Sequence, residues 1–176
     1  GTHIPIATLD GMRERTITLR SLGKVFSVTG WKIGWSVAPA SLTNAIRNAH
    51  QFLTFCASTP LQVAAAEVLR APERYFDQYT QEYRQRRDLL VEGLKDVGFN
   101  VQPPQGTYFV LADHTPFGFE DDVSFCHHLI DTCRVVGIPP SAFYSKSNDG
   151  KGLVRFAFCK ELETLEQAVD QLQGLG

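Results

Sequence analysis

Surplus charge is what this 176-residue sequence has least of: 17 Lys and Arg stand against 19 Asp and Glu, a formal net charge of −2. Phosphate backbones and anionic bilayers are bound through clustered Lys and Arg, and the densest cationic group here is only Arg84, Arg86 and Arg87. Nucleic-acid and membrane partners therefore lose their main electrostatic argument. Long apolar runs are missing as well, since no stretch approaches the roughly 18 residues of a membrane span. The start, Gly1-Thr2-His3-Ile4-Pro5, lacks the basic-then-apolar order of a signal peptide. Cysteine is scarce: Cys56, Cys126, Cys133 and Cys159 form neither a CxxC pair nor the paired spacings of a zinc site. They read as reduced thiols of a cytoplasmic protein, with Cys126 and Cys133 on one helical core face. His127-His128 has no carboxylate or third histidine at ligand spacing, so no metal site is expected. Repeats and low-complexity tracts are absent. There is no opening methionine and only a short run precedes the first strand, so a C-terminal or excised piece of something longer is expected.

What is present is enough for a core: 43% of the residues are hydrophobic and 20% charged, and a chain near this length buries about 68–70% of its unfolded surface. Thr16-Ile17-Thr18-Leu19 alternates β-formers, and residues 31–38 give a second strand ended by Pro39, with a polar, glycine-bearing connection between. From Ser41, a candidate N-cap, Leu42, Ile46, Ala49 and Leu53 recur at helical spacing. Pro60 opens an alanine-rich helix over 61–69 that should be buried, and a long charged helix follows over Glu73–Val97, stopped by Gly98. On that helix Tyr75, Tyr79, Tyr83, Leu90, Leu94 and Val97 mark the inner side and residues 84–88 the wet one. Strands are expected at 99–101 and 107–111, a helix from Asp121 or Asp122 to Arg134, a segment 135–138 entering Pro139-Pro140, a strand at 153–158 and a closing helix at 164–172. An N-terminal strand pair is thus joined by a long helix to a compact α+β unit, with the boundary inside the helix.

The most informative stretch runs from Ser21 to Trp35. It places Lys24 in a connection between two strands, among hydroxyls, glycines and a second cation, Lys32. A lysine at a strand end beside apolar neighbours sheds water from its ammonium, which favours the neutral amine that Schiff-base chemistry needs. Ser21 and Lys32 could hold a phosphate, one by a hydroxyl hydrogen bond and the other by charge. On this ground alone, a solvated surface lysine remains the ordinary reading.

The spacing of Ser21, Lys24, Gly30, Lys32 and Gly34 resembles the cofactor-lysine segment of fold-type-I, class I/II aminotransferases, which use pyridoxal phosphate. The resemblance extends along the chain. Residues 3–9 and 11–15 resemble the approach to that lysine, Gln105-Gly106-Thr107-Tyr108-Phe109 the family's glycine-aromatic strand, and Val154-Arg155-Phe156-Ala157-Phe158 its substrate-arginine strand. The branch it is most similar to comprises kynurenine, glutamine and methionine aminotransferases. The resemblance implies an α/β fold: the end of a large-domain sheet over residues 1–80 and a small C-terminal α+β domain over 81–176. It implies that Lys24 bonds pyridoxal phosphate and moves the substrate's α-proton, that Ser21 and Lys32 hold the cofactor phosphate, and that Arg155 grips the substrate carboxylate. Lys32 stands where much of the family has arginine, which keeps the charge and gives up the bidentate fork. Gly23 replaces a small residue, commonly serine, before the lysine.

An amino acid and a 2-oxo acid would be the substrates, exchanged in a two-stage cycle by a cytoplasmic homodimer. His50 and Gln51 would belong to a loop reaching toward the neighbouring subunit's pocket. Tyr108 is expected in the core, and Phe143-Tyr144-Ser145 either lines the pocket mouth or packs as an ordinary loop. The resemblance also implies a preceding half that supplies a glycine-bearing phosphate loop, a stacking aromatic, an asparagine and the aspartate under the ring nitrogen. Without them these residues carry Lys24 and Arg155 but are not expected to form a competent transaminase. Two alternatives stay open: β-elimination from cysteine conjugates, and a non-catalytic remnant that keeps the small-domain scaffold for interaction.

Overall fold

The computed structural model describes residues 2–145 and 148–175, and the chain divides into two compact units, Gly1–Phe76 and Asp77–Gly176. In the first, β1 (Thr18–Ser21) and β2 (Gly34–Val37) form an antiparallel ribbon from Thr18 opposite Val37 to Ser21 opposite Gly34. Gly34 is required by this pairing, because a Cβ there would lie 2.5 Å from the Arg20 carbonyl oxygen. Helix α1 (Ala40–Leu53) enters from Pro39 with no side-chain cap. Ser41, expected at the N-cap, is already helical, since the extended backbone of Pro39 has made the turn into the helix. Helix α2 (Thr59–Val68) has Pro60 in its first turn, where a missing N–H costs nothing.

The expected burial of α2 does not hold: only Ala65 is buried, and Val63 and Leu69 are 62% and 51% exposed. A ribbon and short helices have too little surface to cover an apolar helix on all sides. Leu22 and Ala65 are the only buried apolar residues among the described residues of this unit, while Leu19, Phe52, Leu53 and Phe55 stand open to solvent.

Helix α3 (Glu73–Val97) runs across the unit boundary and ends at Gly98, whose φ of 112° is open to glycine and strained for other residues. The second unit contains a three-stranded antiparallel sheet, β3 (Asn100–Val101), β4 (Phe109–Asp113) and β5 (Leu153–Ala157), in the order β3-β4-β5. β4 begins two residues later than the sequence pattern implies, because Thr107 sits at φ 67° and breaks the extended backbone. Helix α4 (Asp122–His128) passes into a π-helical turn, Leu129–Cys133, and closes on Arg134 at φ 58°. The expected segment at 135–138 is reduced to one bridge, Ile138 to Arg155, since Pro139 and Pro140 have no N–H with which to extend the ladder. Helix α5 (Leu162–Leu172) completes the unit.

The sheet's inner residues, Val110, Ala112, Val154 and Phe156, pack with Leu90 and Leu94 of α3, Phe125 and Leu129, and Leu165 and Leu172 of α5. The 84–88 segment is not simply a wet face. Arg86 reaches Glu161 at 3.6 Å and lies over the Tyr83 ring, and Arg87 donates to the Pro104 carbonyl at 3.2 Å. Long cationic stems cover apolar surface while their heads find acceptors.

At Gly93 a Cβ would lie 2.5 Å from both methyl carbons of Val169. Gly93→Ala gains about 1 kcal/mol of helix propensity and loses about 1–3 kcal/mol to overpacking. The expected result in urea unfolding is a lower midpoint, and a higher one would mean that Val169 yields freely.

Cys126 and Cys133 are buried in this core, whereas Cys56 and Cys159 are exposed. Burial, with the Asp122 carboxylate second, pushes the Cys126 thiol up to about 11, and burial also raises Cys133. Thiolates are the reactive species. Iodoacetamide in mildly alkaline native buffer should therefore label Cys56 and Cys159 in the peptide map and spare the other two until denaturant is added.

Candidate active site

The connection 22–33 between β1 and β2 is closed by its own backbone. Leu22 donates to the Ile33 carbonyl at 3.2 Å, Phe26 to Leu22 at 3.1 Å, Val28 to Gly23 at 2.9 Å and Trp31 to Val28 at 3.0 Å. Leu22, 1% exposed, anchors its base. The Ser21 Oγ accepts from the Gly23 N–H at 3.1 Å. On the other side of Lys24, the Val25 carbonyl accepts from the Tyr75 hydroxyl at 2.8 Å, and Phe26 stacks on the Tyr75 ring at 5.3 Å. Lys24 thus rides on a turn fastened before and after it.

Its side chain is exposed. The apolar shielding expected from its neighbours is not supplied within this unit: Leu22 is buried at the base of the turn and Phe26 packs on Tyr75 and Phe76 of α3. Lys32 follows at φ 54° and ψ 36°, a left-handed conformation that costs a residue with a Cβ roughly 1–2 kcal/mol. Strain of that kind clusters at ligand sites.

The donors of this connection fit a phosphate monoester carrying a reactive carbonyl. A hydroxyl at Ser21 and an ammonium at Lys32 suit the phosphate, an amine at Lys24 suits the carbonyl, and a Cβ at Gly30 would meet nothing within 4 Å, so the backbone there is open to approach. Pyridoxal phosphate has those two groups. A broad open cleft of about 1280 Å³ also lies in this unit, between the ribbon (Leu19, Trp35) and α1 (Ile46, His50), and none of the three residues lines it. His50 and Gln51 line it from the last turns of α1, so they are helical and not part of a loop.

Arg155 belongs to the second unit, on an outer strand of the sheet whose free side is bridged at this residue. It sits in β5 opposite Leu111 on one side, and on the other its N–H and C=O both bond Ile138 at 3.0 Å. Its side chain shares the face away from the core with Leu153 and Ala157. Two rings hold the guanidinium: Cζ is 4.8 Å from the Phe109 centroid and 5.2 Å from that of Phe143. Among the described residues no carboxylate pairs with it. A half-buried, ring-bounded arginine with an unused fork suits a carboxylate bidentately. Phe109 and Phe143 are contributed by segments far apart in the chain, and each stands in a stretch that the sequence singles out, 105–109 and 143–145, with nothing there to say that the two meet at Arg155. Tyr108 is half-buried against Phe109 and at the edge of the core rather than in it.

The sequence matches the family model for aminotransferase class I and II over residues 2–172. It is 40% identical to a probable N-succinyldiaminopimelate aminotransferase of Mycobacterium tuberculosis, over 98% of this chain and 46% of that protein. The solved structure of the M. tuberculosis N-succinyldiaminopimelate aminotransferase superposes with a TM-score of 0.93 at 41% identity, covering 100% of this chain and 46% of that one. A methionine aminotransferase of Escherichia coli is 39% identical over 98% of this chain and 45% of its own length. For a kynurenine–oxoglutarate transaminase of Dictyostelium discoideum the values are 38%, 97% and 44%. The chain spans somewhat less than half the length of these relatives, and its fold is that of the C-terminal part of a fold-type-I aminotransferase. Matched along nearly all of its length in sequence and in backbone, the chain belongs to the class I and II aminotransferase family.

Proposed function

We propose that this chain is the lysine-bearing C-terminal part of a pyridoxal-phosphate-dependent aminotransferase that moves an amino group between an amino acid and a 2-oxo acid. The observation that carries the reading is Lys24 on a fastened turn, with the Ser21 hydroxyl and the Lys32 ammonium on the same connection. Residues 1–80 would serve as part of the large, cofactor-binding domain and residues 81–176 as the small domain. The exposed apolar surface of the first unit would be covered by the remainder of a longer protein or by a second copy in a homodimer. Exposed free thiols at Cys56 and Cys159 favour a reducing, cytoplasmic setting. Among the described residues no helix is long and apolar enough to cross a membrane.

Bound pyridoxal phosphate supplies a reactive carbonyl carbon and an electron-withdrawing ring. Lys24 would hold it through Nζ, and the same amine would be the base that takes the substrate's α-proton and passes it on to the cofactor's carbonyl carbon. Ser21 donates its hydroxyl proton to the phosphate and Lys32 adds charge. Arg155 would fix the substrate carboxylate by two parallel N–H bonds, which orients an amino acid by the group that all amino acids share.

The test is to titrate the purified chain with pyridoxal phosphate, reduce with borohydride and map the modified peptides. Label concentrated on Lys24 is the expected result, and label scattered over the surface lysines would refute the reading for this chain.

A further inference from the structure

Two buried polar side chains of the second unit have no part in the chemistry above. His114 is 0% and Asp122 1% exposed. His114 follows β4, stacks on Phe125 at 4.4 Å and places Nε2 2.9 Å from the Lys151 carbonyl oxygen, so that nitrogen carries the proton. Its own N–H donates to the Gly152 carbonyl at 3.0 Å. Asp122 opens α4 without capping it: the cap is Asp121, whose Oδ1 accepts from the Ser124 N–H at 2.7 Å. The Asp122 Oδ2 instead accepts from the N–H of Ser141, nineteen residues on, at 2.7 Å.

These bonds are costly to keep. The Nδ1 of His114 and the Oδ1 of Asp122 have no partner among the described residues, and an unmet buried polar atom costs about 1–3 kcal/mol. An apolar side chain would satisfy the packing without that penalty. What the two residues do that an apolar pair cannot is fasten backbone. Ser141 lies in the single helical turn Pro140–Phe143, and Phe143 is one of the two rings against Arg155. Gly150 lies against the same backbone, where an added Cβ would come within 2.6 Å of the Ser141 nitrogen.

We propose that Asp122 and His114 are positioning residues for Arg155: by holding the Ser141 N–H and the Lys151 carbonyl they fix the turn that presses Phe143 onto the guanidinium, so that Arg155 is set between two rings before any carboxylate arrives. The purpose of that setting rests on the proposed carboxylate grip; the geometry itself does not. A preset guanidinium loses less freedom on binding than one that must find its orientation.

The test follows the Arg155 side-chain Nε–Hε resonance in the 176-residue chain, assigned by its loss in Arg155→Lys. Two flanking rings displace it from the position of a solvated arginine, and Phe143→Leu calibrates the share due to that ring. Asp122→Ala is expected to remove more than half of that share. Asp122→Asn, which keeps an oxygen acceptor for Ser141, is expected to restore it, and His114→Phe, which keeps the stack and loses the Nε2 proton, to shift it in the same direction as Asp122→Ala. A folded Asp122→Ala chain with an unmoved signal overturns the proposal, as does an Asp122→Asn chain no better than Asp122→Ala. Should Asp122→Ala unfold, Gly150→Ala decides, since it displaces the same turn from the other side: a shifted signal supports the proposal and an unmoved one overturns it. A separate titration of the unsubstituted chain with 2-oxoglutarate asks whether Arg155 takes a carboxylate. Failure there sinks the carboxylate role and leaves the clamp standing.

Discussion

Lys24→Ala reduces site-specific, borohydride-trapped pyridoxal phosphate from about one per chain to the background shared by the other exposed lysines. No neighbouring side chain can substitute, because the bond needs a primary amine at that point of the turn, and the turn is held by Gly23 on one side and Val25 on the other. Lys24→Arg, which keeps charge and length but is no nucleophile, should fail equally. The flanking donors grade the effect. A charge-assisted contact contributes about 1.5–3 kcal/mol, so Lys32→Ala should raise the half-labelling concentration roughly 10- to 100-fold. Ser21→Ala should raise it less, while Lys32→Arg should be nearly neutral. Quantitative peptide mapping over a concentration series reads all five variants. Equal labelling of Lys24→Ala and the unsubstituted chain would remove the basis for assigning the cofactor to this connection.

Phe125→Ala is the second large effect. Phe125 is fully buried and meets four rings: His114 at 4.4 Å, Phe119 at 5.1 Å, Phe117 at 5.6 Å and Phe99 at 5.8 Å. Truncating a buried phenylalanine costs about 3–5 kcal/mol, against a total of about 5–15 kcal/mol for a domain. The expected result is a second unit that has lost most of its stability, read as a collapsed near-ultraviolet dichroism signal and a steep fall in the urea midpoint. Phe125→Leu, which refills most of the volume, should cost far less. A small loss for the alanine variant would mean that the four rings close over the gap.

Much of this was legible in the sequence, and the exceptions share a cause. Ser21, Lys24 and Lys32 are neighbours in the chain, so their common connection could be read from spacing, and the long α3 with its Gly98 stop followed from period and punctuation. The bed of Arg155 could not, because Phe109, Phe143 and Ile138 reach it from three separate segments. Periodicity finds a helix from Asp122 onward but does not distinguish an α turn from the π turn at Leu129–Cys133. The exposure of α2 escapes the sequence for the opposite reason: composition says that the helix wants covering, and only the surrounding structure says whether cover is there. Asp122 and His114 carry no signal in the sequence, because a helix-opening aspartate beside a capping one, and a histidine after a strand, look ordinary until their partners are known.

The pairing of Ser21 with Gly34 closes the connection at its mouth by a single rung. What lies between those two residues is shaped mainly from inside, by the hydrogen bonds among residues 22–33 and by the Leu22 plug, with Tyr75 of α3 fastening Val25 and Phe26 from outside. Such a segment behaves as a cassette: its contour is inherited whole, it tolerates drift in the surrounding ribbon so long as the rung survives, and an insertion or deletion within it has no slack to absorb the change. The lysine's address is therefore written in the loop's length as much as in its residues.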